Sequence, residues 1–199
     1  MTGAVRICQV SVGEIDRREV IRYAGGGVDE GELSAVLDEC TAEAMTVTCG
    51  RVCFRELDVK RDGNALDLGF CRVESNALAK NLKGCERIIL FAATVGLGID
   101  RLIMKYGRIS PFKGLIMQAI GAERIEAVCD SFCEGLQEKG YSLRPRFSPG
   151  YGDLPLELQT DIFRALSPEK NIGLTLSSSC LMSPTKSVTA IMGIEKKSR

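Results

Sequence analysis

Apolar positions along the chain recur at helical spacing near the start. Leu33, Val36, Leu37, Cys40 and Ala44 share one face of a helix predicted from Asp29 to about Val47. A shorter amphipathic helix, Arg17 to Ala24, precedes it and is ended by Gly25-Gly26-Gly27, which reads as a flexible joint. The period then changes. Arg51 to Val59 and Ala65 to Arg72 alternate apolar and polar residues around Asp62-Gly63-Asn64, a hairpin signal. Ser75 is placed to cap a helix reaching about Leu82, and Glu86 to Thr94 has the unbroken apolar run of a buried strand. Helices follow from Leu97 to Tyr106 and from Ser110-Pro111, as N-cap and first-turn proline, to Lys139, where Gly140 stops the second. Pro155 to Leu166 and a short piece at Pro168 read as helix, and Gly173 to Leu176 and Ser187 to Ile194 as strands. Strands and helices do not alternate regularly, so the fold class is α+β: a mainly antiparallel twisted sheet with several helices, in one compact domain over residues 1–199.

Charge and composition remove several classes of function. Lys plus Arg (26) balance Asp plus Glu (26), so no basic face calls for nucleic acid, and Lys196-Lys197-Ser198-Arg199 reads as a solvated end. The apolar run Ile88 to Ile99 is too short to span a bilayer, and the N-terminus lacks a signal-peptide pattern; a cytoplasmic protein is expected. There is no histidine, which excludes Ser-His-Asp and Cys-His catalysis, His-ligated zinc and an imidazole base. The nine cysteines contain no Cys-x-x-Cys. Their closest pairs, Cys49/Cys53 and Cys129/Cys133, are read as helical neighbours buried as small hydrophobes, with free thiols rather than a metal site.

Four segments hold candidate chemistry. Arg146-Phe-Ser-Pro-Gly-Tyr-Gly-Asp-Leu-Pro155 cannot be helix or sheet. It is either a surface turn between helices or a ligand loop, with Arg146 for a carboxylate or phosphate and Tyr151 for a ring and hydroxyl. Glu126, Asp130, Glu134 and Glu138 stack like charges at i, i+4, each pair costing about 0.2 to 0.5 kcal/mol with no relief within the stripe. That stripe is a solvated outer face, or it offers a carboxylate to an ammonium group. Thr94-Val-Gly96-Leu-Gly98-Ile-Asp100 is a phosphate cradle or a close strand-helix packing. Ser177 to Gly193 is a hydroxyl-rich loop and strand, with Lys186 as a mobile cation.

Arg146-x-x-Pro149-Gly150-Tyr151, the helix with Glu126-Ala-Val-Cys-Asp130, and Met182-x-Pro184-x-x-Ser187-Val188 together resemble the activation domain of cobalamin-dependent methionine synthase. Free-standing relatives of that domain are more similar, through Arg22-Tyr23 and Leu90-Phe91-Ala92-Ala93-Thr94-Val95-Gly96. The resemblance implies an S-adenosylmethionine site that serves reductive methylation of a corrinoid oxidised to cob(II). It implies Arg146 on the methionine carboxylate, Pro149-Gly150-Tyr151 along the adenosyl group, Glu134 near the amine and main chain at Met192-Gly193 completing the pocket, with Ser148 and Lys186 also among the binding residues. The chain departs from the fused domain in having Met192 where that domain has an aromatic, and an Asp near that domain's start has no counterpart. Without histidine the chain lacks the usual lower-axial-ligand motif, so cobalamin is expected on a partner. That partner is a corrinoid-dependent methionine synthase lacking this domain or another corrinoid protein, served by an electron donor such as a flavodoxin or ferredoxin. Two other functions stay open: an independent small-molecule methyltransferase using S-adenosylmethionine, and an adaptor that has lost the ligand.

Overall fold

The computed structural model describes residues 3–25, 30–62 and 65–195. Gly26, Gly27, the helix start at Asp29, the side chain of Leu33, the turn residues Gly63-Asn64 and the tail 196–199 lie outside the described residues. The element order is β1 (Arg6–Val10), α1 (Arg17–Tyr23), α2 (Glu30–Val47), β2 (Gly50–Asp58), β3 (Lys60–Asp62), β4 (Ala65–Asp67), β5 (Arg72–Glu74) and α3 (Asn76–Asn81). It continues with β6 (Arg87–Thr94), α4 (Leu97–Ile109), α5 (Pro111–Glu138), α6 (Leu158–Leu166), α7 (Pro168–Ile172), β7 (Thr175–Leu176), β8 (Met182–Ser183) and β9 (Ser187–Ile194).

The main sheet has the order β1-β2-β6-β9, and every pairing in it is antiparallel. Its central strand explains its own composition. Ile89, Phe91 and Ala93 face one core with Val52, Phe54, Ala190 and Met192, while Ile88, Leu90 and Ala92 face a second with Cys53, Leu57 and Ile191. Both faces are covered, so alternation disappears from β6 and each large apolar side chain contributes about 1.5 to 3 kcal/mol by burial. Residues of α1, α2, α4 and α5 close the first core; α3, α6, α7 and the β3-β4-β5 sheet close the second.

Local signals set the helix limits. Asp16 caps α1 and Ser75 caps α3, each accepting from backbone amides of the first turn. Ser110 accepts from Lys113 N ahead of Pro111, and α5 gives way at Lys139 to Gly140 with φ of 89°. In Thr94 to Asp100 the glycine serves packing: a Cβ on Gly98 would stand 2.6 Å from both Cβ and the carbonyl oxygen of Val47, where α4 meets the end of α2.

Four expectations need correction. The hairpin joins β3 to β4, whereas β2 runs on into the main sheet between β1 and β6. Ala65 to Arg72 is not one strand, because the chain turns at Gly69 (φ 77°) between β4 and β5. Cys53 lies on β2 and Cys49 just before it, so that pair is not helical; Cys129 and Cys133 do lie on α5, and all nine thiols are free. Finally, the segment around Arg146 touches the sheet, since Leu143 bridges Ile194 and Phe147 bridges Ile191 along the outer edge of β9. Among the described residues no helix is long and apolar enough to cross a membrane.

Candidate functional site

The end of α5 and the edge of β9 hold residues 146–154 in a fixed turn. Phe147 and Ile191 exchange backbone hydrogen bonds of 2.9 Å in both directions. Gly150 N donates to Leu154 O at 2.9 Å and Tyr151 N to Ser148 O at 3.1 Å, with Gly150 and Gly152 at φ of 85° and 58°. Positive φ at both positions is what the two glycines permit. Leu154 is buried in the second core, Pro149 is buried under the turn, and Tyr151 stands out at 71% exposure with its ring edge-on to Phe147 at 5.8 Å.

Asp153 fastens this turn to another element. Its carboxylate accepts from the Ser75 hydroxyl, from Asn76 N at 2.7 Å and from Ala77 N at 3.1 Å, so it shares the capping of α3 with Ser75. The Ser75 hydrogen bond, helped by the two amides, holds the Asp153 carboxyl below its ordinary pKa. A lowered folded pKa means that this contribution is complete above the unfolded carboxylate pKa and is lost as pH falls through the folded value. We expect Asp153→Asn to flatten the acid limb of the melting-temperature profile below about pH 4. Ser75→Ala, which removes a buried N-cap, should cost about 0.5 to 2 kcal/mol in urea denaturation at neutral pH.

Arg146 leaves the turn toward α5. One nitrogen, Nη2, donates to Glu126 Oε2 at 3.0 Å and to Asp130 Oδ1 at 2.8 Å. The acidic stripe therefore does find relief, from outside its own helix. The other nitrogen, Nη1, is buried and has no hydrogen-bond partner. A buried donor without an oxygen or nitrogen partner costs about 1 to 3 kcal/mol, so this guanidinium is under-satisfied at Nη1, with the Cys129 thiol against it. Burial pushes that thiol up to about 12 over the opposing pull of Arg146. It is a neutral thiol at physiological pH and not a thiolate nucleophile.

Glu126, Arg146, Ser148, Tyr151 and Val188 line an open cavity of about 320 Å³. Larger depressions of about 760 Å³ beside α6, α7 and β7, and about 470 Å³ at the ends of β6 and β9, lie elsewhere. None of the residues that line those two has a buried polar side-chain atom without a partner, so we place the candidate site at Arg146.

Of the residues named from sequence, Arg146, Ser148 and Tyr151 meet at this cavity, with Pro149 and Gly150 in the turn that carries them. Four others are not on its walls. Glu134 is an exposed residue one turn beyond Asp130. Lys186 is half-buried, its stem beside Gly121, and burial lowers its pKa while Asp100 opposes the shift. Met192 faces the first core at 1% exposure, with Cys133 Sγ 3.4 Å from its sulfur. Gly193 packs against Cys85 and Leu82, and its carbonyl accepts from Arg144 N at 2.8 Å. On β9, alternation turns Met192 into the first core and Gly193 to the opposite face; Val188, on the face of Met192 but four residues earlier, is the β9 residue at the cavity. Glu126, one of the four stripe acids any of which could offer a carboxylate to an ammonium group, and Val188, which had no expected role, also line the cavity; the i, i+4 acids followed by an arginine were the available signal for Glu126.

The fold and the cavity together define an α+β protein with a ligand-sized recess between a long helix and a glycine-bearing turn at a sheet edge. Among solved structures, a similar one is the crystal structure of the MetH reactivation domain bound to AdoHcy, with a TM-score of 0.70 at 17% sequence identity over 98% of this chain and 80% of that chain. The chain thus has the fold of the methionine synthase reactivation domain. No family model matches the chain. No curated protein matches it either.

Proposed function

We propose that this chain binds S-adenosylmethionine in the Arg146 cavity and supports reductive methylation of cob(II)alamin on a separate corrinoid protein, a methionine synthase lacking this domain. The observation that carries the reading is the buried, unpartnered Nη1 of Arg146 beside two carboxylates. It is supported by likeness of fold to a domain bound to AdoHcy, which is the methyl donor after its methyl group has left.

The charges suit this ligand. Arg146 with Glu126 and Asp130 sums to one negative charge, whereas S-adenosylmethionine carries one carboxylate, one ammonium and one sulfonium and is singly positive. Nη1 takes the ligand carboxylate, and Glu126 or Asp130 takes the ammonium, in place of the Glu134 first expected. Tyr151 and Phe147 offer ring surface to the adenine. Loss of the methyl group removes the sulfonium charge, which weakens the hold of this acidic site and favours product release.

The corrinoid supplies the nucleophile: one electron from a donor such as a flavodoxin or ferredoxin reduces cob(II)alamin, which then accepts the methyl group as AdoHcy departs. No proton moves, so a site without histidine suffices and the protein's contribution is positioning. The full chain, S-adenosylmethionine, a reductant and a cob(II)alamin-loaded methionine synthase lacking this domain should together convert the cob(II) spectrum to that of methylcobalamin. A cob(II) spectrum unchanged by adding this chain, with ligand binding intact, would refute the reactivation role and leave only the ligand site.

A further inference from the structure

The two edges of the main sheet are treated differently. β9 is covered by residues 143–147 through the Leu143 and Phe147 bridges. β1 pairs with β2 alone, and among the described residues no other backbone group bonds to its free side. Its register is continuous from Arg6 to Val10, it contains neither bulge nor proline, and Ile7 is 56% exposed. Folded proteins normally blunt such an edge, and among the described residues no strand pairs with this one.

A groove of about 240 Å³ runs between β1 and α5, with Cys8, Val10, Phe54, Phe132, Gly135 and Leu136 among its lining residues. It has room for one large apolar side chain, while Ile7 presents apolar surface on the opposite face of the same strand. Two cations gather at one end. α5 runs antiparallel to β1, since Ser131 Oγ donates to Ser11 O and Lys139 lies near Cys8, so Lys139 and Arg6 share the N-terminal end of β1. Neither has an acidic partner among the described residues; Arg6 only lies over the Phe54 ring at 5.9 Å.

We propose that the free edge of β1 is a docking site for an extended, acidic segment of another protein. The segment adds a fifth strand by backbone hydrogen bonds, places an apolar side chain in the groove and sets a carboxylate against Arg6 and Lys139. A second copy of this chain fits less well. Antiparallel self-pairing about Cys8 would bring the neutral Val10-Ser11 end, and no carboxylate, opposite the two cations.

Gly135 supplies the discriminating variant, because a Cβ built there meets nothing within 4 Å. Gly135→Leu fills the groove while improving helix propensity, so it should fold at least as stably as the wild type. The full chain is used to select from a display library of short linear peptides, and an enriched peptide is synthesised and titrated. Enriched sequences should alternate apolar and other residues and carry a carboxylate at one end. Their affinity should fall about tenfold or more in Gly135→Leu, whose melting temperature is retained, and should also fall in Lys139→Glu. No enrichment over the unselected library, or binding that survives Gly135→Leu, overturns the proposal. A concentration-dependent dimer abolished by Gly135→Leu also overturns it, by giving the edge to a second copy.

Discussion

Glu123→Ala should destabilise the protein by about 3 to 5 kcal/mol, more than any surface change considered above. Glu123 and Arg124 are 5% and 1% exposed, and they form a charge pair through both carboxylate oxygens inside the first layer of helices. Arg124 also donates to the carbonyls of Gly13 at 2.7 Å and Glu14 at 3.0 Å, and Glu123 accepts from Asp16 N at 3.1 Å. The pair therefore ties the connection before α1 to the middle of α5. Removing the carboxylate leaves a buried guanidinium without its counter-ion, and that desolvation is the main cost. For a chain of 199 residues the loss corresponds to a drop of roughly 6 to 20 °C in melting temperature, readable by circular dichroism. Replacing both residues by apolar ones of similar volume should not restore stability fully, because the Gly13 and Glu14 carbonyls would lose their donors. A drop of under 1 °C in Glu123→Ala would show that the pair contributes nothing net.

Arg146→Ala should weaken S-adenosylmethionine binding by about 1.5 to 3 kcal/mol, roughly ten- to hundredfold, by losing a charge-assisted hydrogen bond to the ligand carboxylate. Its effect on folding should be small. The two carboxylates it leaves behind are 44% and 64% exposed, so their mutual repulsion costs only about 0.2 to 0.5 kcal/mol. This separation of binding from stability distinguishes a ligand-holding arginine from a structural one. Arg146→Lys keeps the charge but not the planar fork, and should fall between wild type and alanine, because one ammonium is a poor bridge between α5 and a ligand. Equilibrium dialysis of the three proteins checks the order. Equal affinity in all three would remove Arg146 from the site.

Features set by neighbours in sequence were legible before the structure. The Ser75 and Ser110-Pro111 caps, the stop at Gly140 and the buried strand β6 each follow from a few adjacent residues. β1 was not legible, because its side chains do not follow its alternating exposure: apolar Ile7 stands outward, and Cys8 and Val10 are only partly inward. The turn at Asp62 correctly signalled a hairpin, but its first strand is the short Lys60–Asp62, since β2 gains more by pairing along its length with β6. In the site, the turn glycines and Arg146 were visible from composition. The partners of Arg146 lie 16 and 20 residues back, and Asp153 reaches across 78 residues to Ser75, separations that no local pattern encodes. The main chain at Met192-Gly193 was assigned through resemblance; on β9 it is Val188, four residues before Met192, that lines the cavity.

The central claim, that S-adenosylmethionine occupies the Arg146 cavity, is tested most directly by titrating it into the isotope-labelled full chain and following the Tyr151 ring and the Val188 methyls by NMR. The account requires saturable shifts at both residues, reproduced by AdoHcy and absent in Arg146→Ala. Shifts confined to another part of the molecule, or none with the protein folded, would contradict it.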